Sequence, residues 1–162
     1  MDLAFTPAGV QWVAVSPRLR DLRRLLLVAW VVPITIGAAI LLGVLLQVWV
    51  GVLAALAGLV SIGWGWVVID RNYRSWRYAE SVDDLLVTRG VMFKQLVVVP
   101  YGRMQLVDVN AGPLDRRFGI AKVQLHTAAA TSDASIPGLV PEEAARLRDQ
   151  LTALGEARSA GL

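Results

Sequence analysis

The sequence has no cysteine and one histidine, His126, and only two of its 16 basic residues are lysines, Lys94 and Lys122. Without cysteine there is no disulfide framework, no thiolate metal site and no cysteine nucleophile. One histidine excludes a poly-histidine metal cluster within a single subunit. The longest absence is of charge. From Leu25 to Ile69 there is no Asp, Glu, Lys or Arg. One membrane helix needs roughly 20 apolar residues, and this tract is about twice that.

The economical reading of the tract is a helical hairpin, near Leu25–Leu46 and Trp49–Ile69, with Gln47 at the turn. A cleaved signal peptide fits badly, because its apolar core is only about 7–15 residues. A long buried soluble helix fits no better, since nothing else in 162 residues is large enough to cover it. Hydrophobic residues make up 56% of the chain, as suits one modest domain plus an anchor. The net charge is +3 and comes mostly from arginine. Arg18, Arg20, Arg23 and Arg24 precede the first span, and Arg71, Arg74 and Arg77 follow the second. Basic residues stay on the cytoplasmic side, so both termini are expected there, in a multi-pass protein of the cell membrane. Trp30 and Trp66 then fall near the inner ends of the spans and Trp49 at the outer end. They form an aromatic belt, or simply fill lipid-facing space. Pro33 should kink the first span modestly.

Within the second span Gly51, Ala54, Gly58, Ser61 and Gly65 recur at intervals of three and four. Small residues on one face let helix backbones approach closely in lipid. Ala39 and Gly43 give the first span a shorter counterpart. The stripe serves packing within the hairpin, or a surface for a second subunit.

After Asp70 charges return and Gly and Pro punctuate short apolar runs. Strands are expected at Ser75–Ser81, Asp84–Thr88 and Val91–Val99, the last two joined by an Arg89-Gly90 turn. Pro100-Tyr101-Gly102 should end the third strand. Met104–Val109 alternates and reads as a half-buried strand. Ala111-Gly112-Pro113 is a turn, Leu114–Phe118 a single helical turn, and Lys122–Thr127 another strand. Ala128–Pro137 reads as a loop with a short strand near Ser135-Ile136. Pro141-Glu142-Glu143 opens a helix to about Leu154, with acids in its first turn. Ala144, Leu147, Leu151 and Leu154 share one of its faces. The class is α+β, with a curved antiparallel sheet or small open barrel closed by that helix. The expected organisation is a cytoplasmic N-terminal segment (1–24), a transmembrane hairpin (25–69), a cytoplasmic domain (70–156) and a flexible tail (157–162).

No catalytic set stands out. A triad around His126 would need Ser132 or Asp108 from elsewhere, without a nucleophile elbow, so a strand residue is the simpler reading. Asp83-Asp84 are neighbours that point apart, which argues against a metal site. No glycine-rich phosphate loop is present. Neither a cofactor nor a metal is expected, and the chain reads as non-enzymatic. Arg116-Arg117 is a basic pair suited to lipid phosphate. Alternatively Arg116 hydrogen-bonds backbone carbonyls of a tight turn and Arg117 is solvated, the preferred reading. Arg71, Arg74, Arg77, Arg116 and Arg117 are together the candidate interaction or lipid-headgroup residues. The arginines beside the spans are explained by topology, and no stacking motif accompanies them, so nucleic acid is not an expected partner.

The chain resembles the bacterial PH-like membrane proteins of the YdbS type, whose soluble part is the second bacterial PH-domain class. The resemblance rests on Gly90-Val91, Val99-Pro100, Arg103, Gln105 and Asp108-Val109. It continues through Gly112-Pro113-Leu114, Arg116, Phe118-Gly119-Ile120, Thr127-Ala128 and Glu143-Ala144. Upstream it includes the twin spans, Trp12 and Ser16-Pro17-Arg18, so it covers the chain from about Trp12 to Leu154. It implies a PH-like fold for residues 70–156, no assigned enzymatic activity and a membrane-linked role. Members of this type often stand beside a larger relative with several such domains. That relative, self-association and membrane lipid are the implied partners. Eukaryotic PH domains that bind phosphoinositides use a basic loop between their first two strands. Here the equivalent Ser81-Val82-Asp83-Asp84 is acidic. The function expected is a membrane-anchored interaction module, a subunit or scaffold of a membrane complex, with lipid binding or handling as the alternative.

Overall fold

The computed structural model describes residues 10–127 and 133–159. The chain forms two compact units: residues 20–71, and residues from Asn72 onward together with those up to Leu19.

The first unit is an antiparallel pair of long helices. α1 spans Arg18–Leu45 and α2 spans Val48–Ser75, so each extends beyond the uncharged tract on its arginine-bearing side. Both are long and apolar enough to cross a membrane. α1 continues through Pro33. The reversal is short. The Val50 N–H donates to the Gln47 carbonyl at 2.9 Å, and the Trp49 indole N–H donates to the Gln47 side chain. At the other end of the pair, Arg20 and Arg24 each approach Asp70 to 3.7 Å, and Arg24 lies 5.3 Å over the Trp66 ring.

The second unit begins before the helices and resumes after them. β1 (Val13–Ala14) precedes α1, and β2 (Arg77–Glu80) follows α2. They pair antiparallel, Val13 opposite Tyr78 and Ala14 opposite Arg77. The sheet continues with β3 (Asp84–Arg89) and β4 (Gln95–Pro100) in the order β1-β2-β3-β4. A 3-10 turn at Tyr101–Arg103 leads to β5 (Met104–Asn110). A short helix, α3 (Pro113–Arg117), then precedes β6 (Ala121–Thr127) and β7 (Ala134–Leu139). These strands form a second antiparallel sheet, β5-β6-β7. The last element, α4 (Pro141–Ser159), packs on the 3-10 turn, β5 and β6. Four strands, three strands and a closing helix make an α+β open barrel.

Alternation sets the core. Ala121, Val123 and Leu125 of β6 point inward, as do Ala134 and Ile136 of β7. Ala144, Leu147 and Leu151, the inward stripe of α4, are buried as well. β3 is central and buried from Leu85 to Thr88 on both faces. The two sheets are laced where β1 ends: the Ser16 N–H donates to the Gly138 carbonyl at 2.8 Å. Gly138 has φ +72°, and a Cβ there would lie 2.7 Å from the Leu19 Cβ. Only glycine serves at such a position.

Several sequence expectations shift. The strand expected at Ser75–Ser81 is confined to Arg77–Glu80, because α2 runs on to Ser75. The strand expected from Val91 begins only at Gln95, and Val91–Lys94 is the hairpin tip. Pro100 is the last residue of β4, opposite Asp84, rather than a residue outside it. The short strand near Ser135 is the six-residue β7, while Ala128–Ser132 of the expected loop lie outside the described residues. α4 passes Leu154 and ends at Ser159. Its last turn is held where the Arg158 guanidinium donates to Asp83 and the Val82 carbonyl. Of the expected tail, 160–162 lie outside the described residues, as do 1–9 of the N-terminal segment.

Candidate functional site

β5 lies at the edge of its sheet, paired with β6 on one side only. An edge strand presents unpaired backbone donors and acceptors. Beside this edge is a groove of about 260 Å³, lined by Met104, Gln105, Leu106 and Val107 and, on α4, by Leu151, Thr152, Gly155 and Glu156. Successive strand residues face opposite ways. The groove touches four β5 residues in succession. The register shifts between Met104 and Leu106, a bulge that leaves Gln105 unpaired with β6. Leu106 is 53% exposed. On the far wall, Gly155 lies close to the 3-10 turn, where a Cβ would come within 3.5 Å of the Tyr101 carbonyl. The arrangement suits an extended peptide adding to β5 while its side chains rest against α4.

Nearer the start of α4 lies a polar cluster that the sequence does not announce. The Tyr78 hydroxyl donates to Glu143 Oε1 at 2.8 Å. Arg146 donates to both Glu143 oxygens, at 2.6 and 3.0 Å, to Glu80 at 2.7 Å and to Gln150 at 2.6 Å. α4 is thereby fixed to β2. The Arg146 hydrogen bonds hold the Glu143 carboxyl below its ordinary value; burial opposes them and the Tyr78 hydroxyl adds to them. Burial pushes the Tyr78 phenol well above its ordinary range, and the Glu143 carboxylate adds to this. Tyr101 is fully buried, and its hydroxyl donates to the Ser81 carbonyl at 2.9 Å. Burial, with the charges of Glu80, Asp84 and Asp83, pushes its phenol up to about 12. The signal in sequence was faint: a Tyr and a Glu two residues apart in a strand, far from a Glu-x-x-Arg helix.

The arginines singled out from sequence are spread over three elements. Arg71 and Arg74 lie on the last turns of α2, and Arg77 opens β2. Arg116 and Arg117 end α3, in the other half of the barrel. All five are exposed. Arg116 does not brace its turn, contrary to the preferred reading. Its side chain has no hydrogen bond among the described residues. The turn is held by Asp115, which accepts from the Gly112 N–H at 3.0 Å, and by Arg18, which donates to the Gly119 carbonyl at 3.2 Å.

The small-residue stripe of α2 divides. Gly51 and Gly58 are buried, Ala54 and Gly65 are half-buried, and Ser61 is exposed with its hydroxyl bonded back to the Ala57 carbonyl. A Cβ at Gly51 would sit 3.0 Å from the Gly43 Cα, and one at Gly58 would overlap the Thr35 side chain. One at Gly65 would meet only the tip of Leu27. Three glycines seven residues apart thus face α1.

His126 stands between carboxylates, with Nδ1 3.3 Å from Asp133 and Nε2 3.9 Å from Asp108. Asp133 also accepts from the Thr127 N–H at 2.8 Å, the main reason its carboxyl lies below the ordinary value. Ser132, weighed as a nucleophile, lies outside the described residues. Asp83 is engaged by Arg158. Among the described residues no three His, Asp or Glu side chains form a group able to hold a metal.

Comparison with known proteins agrees with this architecture. The family model described as "Bacterial PH domain" matches residues 10–155. The chain is 36% identical over 104 residues to the UPF0699 transmembrane protein YdbS of Bacillus subtilis (strain 168). That alignment covers 64% of this chain and 64% of the relative, so the chain spans less than two thirds of the relative's length. No solved structure matches. With its paired apolar helices and its four-plus-three-stranded barrel closed by α4, the chain belongs to the bacterial PH domain family, as a YdbS-like membrane protein.

Proposed function

We propose that the protein is a membrane-anchored interaction module without enzymatic activity, a subunit or scaffold of a bacterial membrane complex that receives a partner strand at β5. The observation that carries this reading is the β5 edge beside the α4 groove. Main-chain pairing supplies affinity in such a site and the groove supplies side-chain selection. The partner proposed is a larger membrane protein with PH domains, or a second copy of this chain. In this reading both termini lie in the cytoplasm. The pairing of β1 with β2 supports one common side for the two flanks of the helix pair, and the arginines at those flanks support the cytoplasmic one.

A second reading is lipid handling. It draws on Arg116 and Arg117, exposed on α3 and without side-chain hydrogen bonds among the described residues. Each basic side chain near an anionic surface contributes about 1 kcal/mol.

The experiment is affinity capture of the full chain in mild detergent with mass spectrometry of retained proteins and lipids. Leu106→Lys is compared with Arg116→Gln/Arg117→Gln. A charge on an edge strand blocks pairing. Loss of the protein partner in the first variant alone, with its melting temperature intact, is the expected result. A partner retained by Leu106→Lys would remove the β5 reading, and loss of bound anionic lipid in the arginine variant alone would put lipid handling in its place.

A further inference from the structure

The β3–β4 hairpin ends in Val91-Met92-Phe93-Lys94, and Met92 and Phe93 are 88% and 86% exposed. Two adjacent large apolar side chains so far outside a core form an exposed apolar patch at the tip of a hairpin whose other apolar residues mostly serve the barrel. Strand register gives the tip its place. Arg77, the residue that leads from α2 into the barrel, pairs with Thr88. Residues 89–95 therefore overhang the sheet at the end where α2 joins it. Strands rise about 3.3 Å per residue, so the overhang reaches roughly 7–10 Å beyond Arg77. The tip is tied down there, since the Gly90 N–H donates to the Ser75 hydroxyl at 3.2 Å. Gly90 has φ +102°, and a Cβ at that position would collide with the Phe93 carbonyl. The Arg89 guanidinium lies 5.9 Å over the Trp76 ring and donates to Gln95 at 3.0 Å, which holds the two strands together at the base of the tip.

Ser75 ends α2 only six residues after Ile69, the last residue of the uncharged tract. At 1.5 Å per residue that is about 9 Å of helix. A polar headgroup layer is about 5–8 Å deep on each side of a bilayer. Charge follows the same axis. Arg74, Arg77, Arg89 and Lys94 belong to the α2 end of this sheet, whereas Glu80, Asp83 and Asp84 belong to the opposite end, at the β2–β3 turn. An apolar pair set among cations is the composition of a segment that lies in the interface of an anionic bilayer.

We propose that the Met92–Phe93 tip is a lipid-interface wedge, entering the headgroup layer of the same bilayer that α1 and α2 are built to cross. It fixes which end of the barrel meets the membrane and leaves the acidic end, with Val82, toward water. This does not depend on what binds β5, and either proposal stands if the other fails.

The absence of cysteine makes the test direct. Phe93→Cys and Val82→Cys each give the full chain one labelling site, and both side chains are exposed, at 86% and 80%, so neither change touches the core. The protein is reconstituted into vesicles of phosphatidylcholine with phosphatidylglycerol, and of phosphatidylcholine alone, and labelled with a polarity-sensitive fluorophore. The expected result is blue-shifted emission at position 93, quenched by lipids spin-labelled near the top of the acyl chain, with position 82 red-shifted and unquenched. Emission at position 93 as water-like as at position 82, in both compositions, overturns the proposal. So does a blue shift that lipid quenchers leave unchanged, because that would place the tip against protein.

Discussion

Replacing Arg146 with methionine keeps most of the aliphatic stem of the side chain and removes the charge that joins α4 to β2. Arg146 makes hydrogen bonds to Glu143, Glu80 and Gln150. Its side chain is about half exposed, at 48%, which screens each pair toward the surface range of about 0.2–1 kcal/mol. Two carboxylates lose their partner together, and the Tyr78 hydroxyl remains on Glu143. The expected cost at neutral pH is about 1–2 kcal/mol, which for a unit of this size lowers the melting temperature by roughly 4–16 °C. The effect should also depend on pH. In the folded protein the Glu143 carboxyl is held below its ordinary value, chiefly by Arg146. A depressed carboxylate binds protons less readily when folded than when unfolded. Its stabilisation is complete above the unfolded pKa of about 4.3 and fades as pH falls through the lower folded value. The gap between wild type and Arg146→Met should therefore be widest near neutrality and shrink below about pH 4. Thermal unfolding of the full chain in detergent, followed by near-ultraviolet circular dichroism at several pH values, reads this gap. A gap that is absent at pH 7, or undiminished at pH 3, would refute the reasoning.

The hairpin glycines should rank by what a methyl group meets. Gly51→Ala and Gly58→Ala face a backbone and a stiff threonine and should cost about 1–3 kcal/mol, whereas Gly65→Ala, against a mobile leucine tip, and Ser61→Leu, on the exposed face, should cost less, as measured by thermal aggregation in detergent. A reporter active only in the cytoplasm should be active at the C-terminus, and one active only outside should be active at the Gln47 turn; an inactive C-terminal fusion would contradict the orientation proposed. In alkaline titration by ultraviolet absorbance, Tyr101→Phe should remove a phenol that ionises only near pH 12, and loss of an earlier step instead would contradict its burial.

How far the sequence announces this molecule depends on the range of the interactions involved. The helix pair was legible because it rests on a local signal, the missing charge from Leu25 to Ile69. So were β5, β6 and α4, where alternation or a Pro-Glu-Glu start is read within a few residues. β1 was not legible, because Val13-Ala14 is too short for any pattern and exists only by pairing with Arg77 and Tyr78 far along the chain. The Val91–Lys94 tip reads as strand from sequence because Val91-Met92-Phe93 is an apolar run separated from Leu96–Val99 of β4 by only Lys94 and Gln95. The Tyr78–Glu143–Arg146–Glu80 cluster joins residues more than sixty positions apart, and no spacing rule reaches that far. Arg18 looked like one more topological charge until its bond to the Gly119 carbonyl gave it a second role.

The pairing of β1 with β2 has a consequence for biogenesis. β1 leaves the ribosome first, and its partner follows only after about sixty more residues have been translated, roughly 3–12 s at usual elongation rates. Through that interval β1 has no partner, and it gains one only if the chain comes back to the side where it started. If both helices cross the bilayer as proposed, a single failed insertion strands it across the bilayer from β2. The barrel then lacks its first strand and the lacing of Ser16 to Gly138, and it exposes the edges of β2 and β7 to proteases. Under the proposed topology, completion of the β1–β2 pairing would therefore depend on correct insertion of both helices.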